Sequence, residues 1–277
     1  MITRAFEIRL YPTNEQKVKL NRTFGACRFL YNCTLYTQNE YYKEHKSSPN
    51  QLEIVKKLKN DNVWLKEIGS QALCQSIWDL NKAYKNWWKS LKGESKQQSK
   101  APTFHKKSGK QSFRDCEMRK DFFKLVDIEN RKIFIPKIGS VSFRQGYDFE
   151  KYDITKVHNI TVKKSKSGKY FCSICVDCKD PVQLEKNDNV YAFDLGIKDF
   201  LIDSDGCLIE NPKYFRVSEE KLARSQRKLS KMVKGSKNRE KQKLKVARIY
   251  EKISGLYGER DKEACGERND ISAGGTS

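Results

Sequence analysis

Apolar and polar positions alternate over residues 2–10, so that Ile2, Arg4, Phe6, Ile8 and Leu10 can share one face of a strand that Pro12 closes. Thr13, followed three positions later by Gln16, is a capping-box signature and predicts a helix start. Leu20, Phe24, Cys27, Tyr31 and Leu35 then recur at steps of three and four, an amphipathic stripe. Lys17, Lys19, Arg22 and Arg28 lie largely off that stripe and give the helix a basic outer side. Residues 44–60 are polar and read as a connection between helices. From Ser70 a second stripe runs through Leu73, Ile77, Leu80, Tyr84, Trp87 and Leu91, with Lys82, Lys85 and Lys89 on another face. Residues 92–112, rich in Lys, Ser, Gln and Gly, read as a flexible basic loop.

From about residue 113 the period changes to two. Phe122–Val126, Lys132–Pro136, Ser140–Phe143, Ile160–Lys164 and Tyr170–Cys178 read as short strands separated by turn residues. With the first strand they suggest a small barrel or sandwich, and the helices of 13–91 become an insertion after strand one. Cys172, Cys175 and Cys178 form a C-x-x-C-x-x-C run that superficially resembles an iron–sulfur loop. On a strand, however, Cys175 faces away from the other two, so the three thiols are expected to be structural. Residues 181–188 form a polar linker, and a second unit begins near 189.

The stretch 189–202 reads as two strands around a tight bend. Tyr191, Phe193 and Leu195 point one way, and Ala192, Asp194 and Gly196 the other. A carboxylate in mid-strand among small residues is costly to bury unpartnered, and makes sense where a cation sits. Asp203-Ser204-Asp205-Gly206 is most simply a turn, with a calcium site on Asp-x-Asp as the alternative. Between Arg216 and Lys252 there are 14 Lys or Arg against 4 Glu, a net of +10. Leu222, Leu229 and Met232 set one helical stripe there, and Val246, Ile249 and Ile253 another. The break at Lys234-Gly235-Ser236-Lys237-Asn238 makes a helical hairpin with a basic exterior.

Charge turns these basic faces into a functional expectation. The 277 residues carry 56 Lys and Arg against 35 Asp and Glu, a formal charge of +21, while 11% of residues are aromatic. Disordered chains are seldom so aromatic, so a folded protein with a field attractive to polyanions is expected. No apolar run reaches the roughly 18 residues of a membrane span, which favours nucleic acid over a membrane partner. An odd number of cysteines, 9, at irregular spacing and with no leader sequence fits a reducing cytosol. Lys82, Lys85 and Lys89 are a candidate rail for phosphates, and the hairpin a candidate bed for a nucleic-acid backbone.

Taken together, these residues resemble one family, the TnpB (OrfB) proteins of insertion sequences. The resemblance lies in Asp194-Leu195-Gly196-Ile197-Lys198-Asp199-Phe200, Asp205-Gly206, Ile209-Glu210-Asn211-Pro212-Lys213-Tyr214-Phe215, Leu222-Ala223-Arg224, Lys234-Gly235-Ser236-Lys237-Asn238-Arg239 and Val246-Ala247-Arg248. At the amino end it lies in Ile8-Arg9-Leu10-Tyr11-Pro12-Thr13, Cys27-Arg28-Phe29-Leu30-Tyr31-Asn32, Trp64-Leu65-Lys66-Glu67 and Ser70-Gln71-Ala72-Leu73, so that it covers residues 1–253. The resemblance implies an α+β multidomain protein. Residues 1–180 would be a small wedge β-barrel with a helical recognition insertion at about 13–112, its amino-terminal part of the kind described as helix-turn-helix. Residues 189–253 would be a partial RuvC or ribonuclease-H-like α/β domain bearing the basic hairpin. It further implies RNA-guided DNA endonuclease ancestry, with guide RNA and double-stranded DNA as partners, no small-molecule substrate, and a cytoplasmic, nucleoid-associated location.

By the same resemblance Asp194 would be the first magnesium ligand and catalytic carboxylate. Gln71 and Gln75 would lie near the target-adjacent duplex. Arg28 and the hairpin cations Arg224, Arg227, Lys228, Lys231, Lys234, Lys237 and Arg239 would lie near the RNA–DNA heteroduplex. The family's second-strand Glu, zinc-knuckle C-x-x-C pairs and final Asp have no counterpart in this sequence. Residues 254–277 lose all apolar period and read as an aberrant, frameshifted or recombined tail. The expectation is a truncated TnpB-type protein, tied to transposition, that binds nucleic acid without cutting it. A nuclease-dead RNA-guided repressor, and an endonuclease completed by a second fragment, stay open beside it.

Overall fold

β1 (Ile2–Tyr11) is the strand around which the main sheet is organised. It pairs antiparallel with β7 (Tyr170–Cys178) from Ile2↔Cys178 to Leu10↔Tyr170, and on its other edge with β5 (Gly139–Arg144) from Arg9↔Arg144 to Tyr11↔Ser142. This computed structural model describes residues 1–95, 97–116, 121–144, 146–179, 192–194, 199–204, 206, 208–210 and 214–254. The chain divides into two compact units, Met1–Ser165 with Lys169–Gln183, and Lys166–Gly168 with Leu184–Ser277.

In the first unit β2 (Gln111–Asp115), β3 (Val126–Asp127), β4 (Lys132–Ile135) and β6 (Ile154–Lys164) complete a curled, antiparallel seven-stranded sheet. Its order is β2-β6-β7-β1-β5-β4-β3. The strands alternate as a half-buried sheet demands. Along β7, Tyr170, Cys172, Ile174, Val176 and Cys178 are buried, and Cys175 faces the other way. The three thiols therefore do not converge. Burial pushes the Cys172 thiol far above its ordinary value, with the nearby Glu7 carboxylate adding to the effect.

The helices enter between β1 and β2. α1 (Asn14–His45) starts at the expected capping box, where Thr13 Oγ1 accepts from Gln16 N at 3.3 Å and Gln16 Oε1 accepts from Thr13 N at 3.0 Å. Gln16 Nε2 then donates to the Ser140 carbonyl at 2.8 Å, tying the helix start to β5. All five residues of the first stripe are buried. α3 (Ser70–Leu91) buries Leu73, Ile77 and Leu80, and half-buried Tyr84 packs against the cluster of Tyr31, Leu35 and Leu80, but Leu91 is exposed, so the second stripe leaves the core toward its end.

Two local readings change. Residues 44–60 are not a plain connection, because α2 (Gln51–Asp61) forms there. Asn50 caps it by accepting from Leu52 N at 3.1 Å, and Val55 is the residue it buries. Phe122–Val126 is not a strand. Asp121 accepts from Phe123 N and starts a single turn, α4 (Phe122–Leu125), before the chain reaches β3. The same cap-and-turn logic explains both differences: a short side-chain acceptor overrides the weak periodicity of a few residues.

In the second unit β8 (Phe193–Asp194), β9 (Asp199–Asp203) and β10 (Leu208–Glu210) form an antiparallel sheet of order β10-β9-β8. α5 (Tyr214–Ser230) and α6 (237–254) make the hairpin. Gly235 between them has φ +88°, a conformation that a side chain would strain. The bend at 195–198, Asp205, the linker at 181–188 and the tail beyond residue 254 lie outside the described residues.

Candidate nucleic-acid interface

In the first unit the interface candidates gather on α1 and α3. Lys82, Lys85 and Lys89 are exposed and continue, at steps of four and three, a row begun by Trp78, which is 58% exposed. A row of three ammonium groups beside an open indole suits a phosphate backbone with adjacent bases. Gln71 is half-buried on the first turn of α3. Gln75 is 4% exposed, so its amide is part of the interior and does not present itself to a duplex. Buried Asp115 lies beside the amino end of α3, its Oδ2 3.5 Å from where a Cβ on Gly69 would stand. A carboxylate there complements the positive end of the helix.

Arg28 is half-buried on α1 and borders a cavity of about 370 Å³ enclosed by α1, α3, β2 and residues 104–110. Asp79 on α3 and Arg114 on β2 form an ion pair at its wall. The His105 ring stacks on Tyr31, with centroids 3.9 Å and planes 10° apart. Burial holds the His105 imidazole below its ordinary value; Asp79 opposes that effect and Arg28 adds to it. Nothing in the periodicity of residues 92–112 signalled this cavity, because the segment lining it has no regular structure.

In the second unit the hairpin is stitched by polar groups that the stripes did not reveal. Gln242 Nε2 donates to the Ser225 carbonyl at 3.0 Å, and Gln226 Nε2 to Tyr250 Oη at 2.8 Å. Arg227, Lys228, Lys231, Lys234 and Lys237 are exposed. Arg224 pairs with Glu220 at 3.1 Å along α5. Arg239 differs from its neighbours: its Nη1 donates to the carbonyls of Leu229 at 2.7 Å and Met232 at 2.6 Å, so the guanidinium closes the carboxyl end of α5. Asp194 is exposed on β8, paired in register with Ile202. Among the described residues no group of three His, Cys, Asp or Glu side chains converges as a metal site.

What this architecture defines is a mixed α/β protein, with helices set into an antiparallel sheet and strongly basic helical faces. Residues 1–47 match a helix-turn-helix domain of the OrfB type, and residues 173–257 match a "Probable transposase" of the same type. The first match spans β1 and one uninterrupted 32-residue helix, so the segment contains no helix-turn-helix bend. The chain is 32% identical over 260 residues to InsQ of Escherichia coli K12, described as a candidate RNA-guided DNA endonuclease. It is 30% identical over 260 residues to a like-named protein of Streptomyces pristinaespiralis. Each match covers 91% of this chain but 60% and 61% of those relatives, so the chain spans about three-fifths of their length. The chain belongs to the TnpB (OrfB) family of insertion-sequence proteins. A solved Cas12f1–guide RNA–target DNA complex aligns over 98% of this chain and 70% of its own, at 14% identity and a TM-score of 0.30. A likeness that distant adds nothing to the assignment. No described helix is long and apolar enough to cross a membrane.

Proposed function

We propose that this chain binds a guide RNA and double-stranded DNA, and that its 277 residues do not by themselves cut the DNA. In this reading residues 1–180 serve as a wedge domain with a helical insertion, and residues 189–253 as part of a RuvC-like domain. The observation that carries it is the exposure of closely spaced cations within each unit, Lys82, Lys85 and Lys89 on α3 and Arg227, Lys228, Lys231, Lys234 and Lys237 on the hairpin. The names of the two relatives supply the partner classes. Two-metal hydrolysis needs several carboxylates held together. Asp194 is the one that the family resemblance supplies here.

The test uses the purified full chain with its co-purifying RNA and matched duplex DNA in magnesium. RNA binding that weakens with salt, without DNA cleavage, is the expected result. Replacing Lys82, Lys85 and Lys89 with Gln should reduce the salt slope by about 0.7–0.9 for each phosphate that is no longer neutralised. Magnesium-dependent cleavage abolished by Asp194→Ala would overturn the non-cutting half. Absent or salt-independent RNA binding would overturn the other half.

A further inference from the structure

The cavity bordered by Arg28 has the make-up of a ligand site rather than of a packing defect. A defect in a core is lined by apolar groups and stays dry. This one carries Arg28, Lys106 and Lys110 at its border, and among the described residues none of these has a carboxylate partner. Its volume, about 370 Å³, falls in the range of small-ligand pockets, roughly 300–1,000 Å³. Flat aromatic surface is also available. Phe104 is 53% exposed, and exposed His105 lies parallel to Tyr31.

The lining segment is fixed in place. Asn32 Oδ1 accepts from His105 N at 2.8 Å, and Asn32 Nδ2 donates to His105 O at 3.1 Å, so a single side chain on α1 clamps the backbone of this segment. These bonds use the main chain of His105 and neither ring nitrogen, while one face of the ring stacks on Tyr31. Arg114 is already matched by Asp79, which leaves the remaining cations for an anion from outside.

We propose that this cavity receives one unstacked nucleotide, its base against the His105 and Phe104 rings and its phosphate between Arg28, Lys106 and Lys110. The inference rests on the nucleic-acid reading for the class of ligand and adds a discrete pocket to it. Rings supply a surface that every base can stack on, and the cations supply the charge, so the pocket selects a nucleotide without selecting a sequence.

The full chain, freed of RNA, is titrated with the four nucleoside 5′-monophosphates and, separately, with inorganic phosphate, followed by saturation-transfer NMR. The nucleotides should bind and phosphate alone should bind more weakly. His105→Ala should weaken nucleotide binding about tenfold and His105→Phe should restore it. Lys106→Gln with Lys110→Gln, both at exposed positions, should weaken it without lowering the melting temperature. Indifference to His105→Ala, or phosphate binding as tightly as the nucleotides, overturns the pocket. So does absent nucleotide binding in a chain that still binds RNA. Loss of both kinds of binding removes the nucleic-acid reading as well.

Discussion

Gln242 donates to the carbonyl oxygen of Ser225 at 3.0 Å, and both residues are buried between the two helices of the basic hairpin. Val246 and Ile253 are the buried apolar residues of α6, so its apolar seam is short. A satisfied polar pair therefore carries part of the register that a longer apolar seam would otherwise set. Gln242→Ala should destabilise the hairpin by about 1–2 kcal/mol. A lower urea midpoint together with faster amide exchange in α5 would show it, and an unchanged midpoint would deny the bond a stabilising part.

Arg239 and the lysines near it should separate in two assays. Arg239→Ala removes a guanidinium from the carbonyls of Leu229 and Met232 and should cost about 1 kcal/mol of stability, with little effect on the salt slope of RNA binding. Lys231→Gln, Lys234→Gln and Lys237→Gln together should do the opposite, because these side chains are exposed. Equal slopes for the two variants would remove the distinction.

Acid should loosen the strands that meet at Asp177. Its carboxylate accepts from Thr3 Oγ1 at 2.7 Å and lies 2.8 Å from His158 Nε2. Those two bonds, the Thr3 bond first, hold the carboxyl below its ordinary value of 3.8. A depressed carboxyl stabilises the fold above that value, and its contribution fades as pH falls through the lower, folded value. Asp177→Asn should accordingly flatten the drop in melting temperature below pH 4. A drop of the same size in the variant would assign the acid sensitivity elsewhere.

Cys27 and Cys172 should resist alkylation in the native protein. Burial, aided by Asp115 and Asp79, pushes the Cys27 thiol up to about 12, and Cys172 is displaced in the same direction by burial and Glu7. Thiolates are the reactive form, so iodoacetamide should label both residues in urea and neither in buffer. Peptide mass spectrometry reads this directly, and rapid native labelling of Cys172 would contradict the packing of β7.

Where the determinants are local, the sequence alone was enough. The Thr13–Gln16 box fixed the start of α1, the three-four steps of Leu20 to Leu35 fixed its buried side, and the two-residue period of 170–178 fixed which cysteines face inward. Gly235 marked the break in the hairpin, and the lysine spacing marked the open face of α3. Each of these signals lies within a few residues of the structure it sets. The tertiary structure decided what depends on distant partners. β1 sits between β5 and β7 because residues more than 130 positions away supply its edges. Gln75 is interior and Arg239 closes a helix end because of what packs beside them, although in sequence they look like their polar neighbours. The pocket beside Arg28 exists because Asn32 clamps His105, 73 positions on, and no period in the sequence encodes a contact of that range.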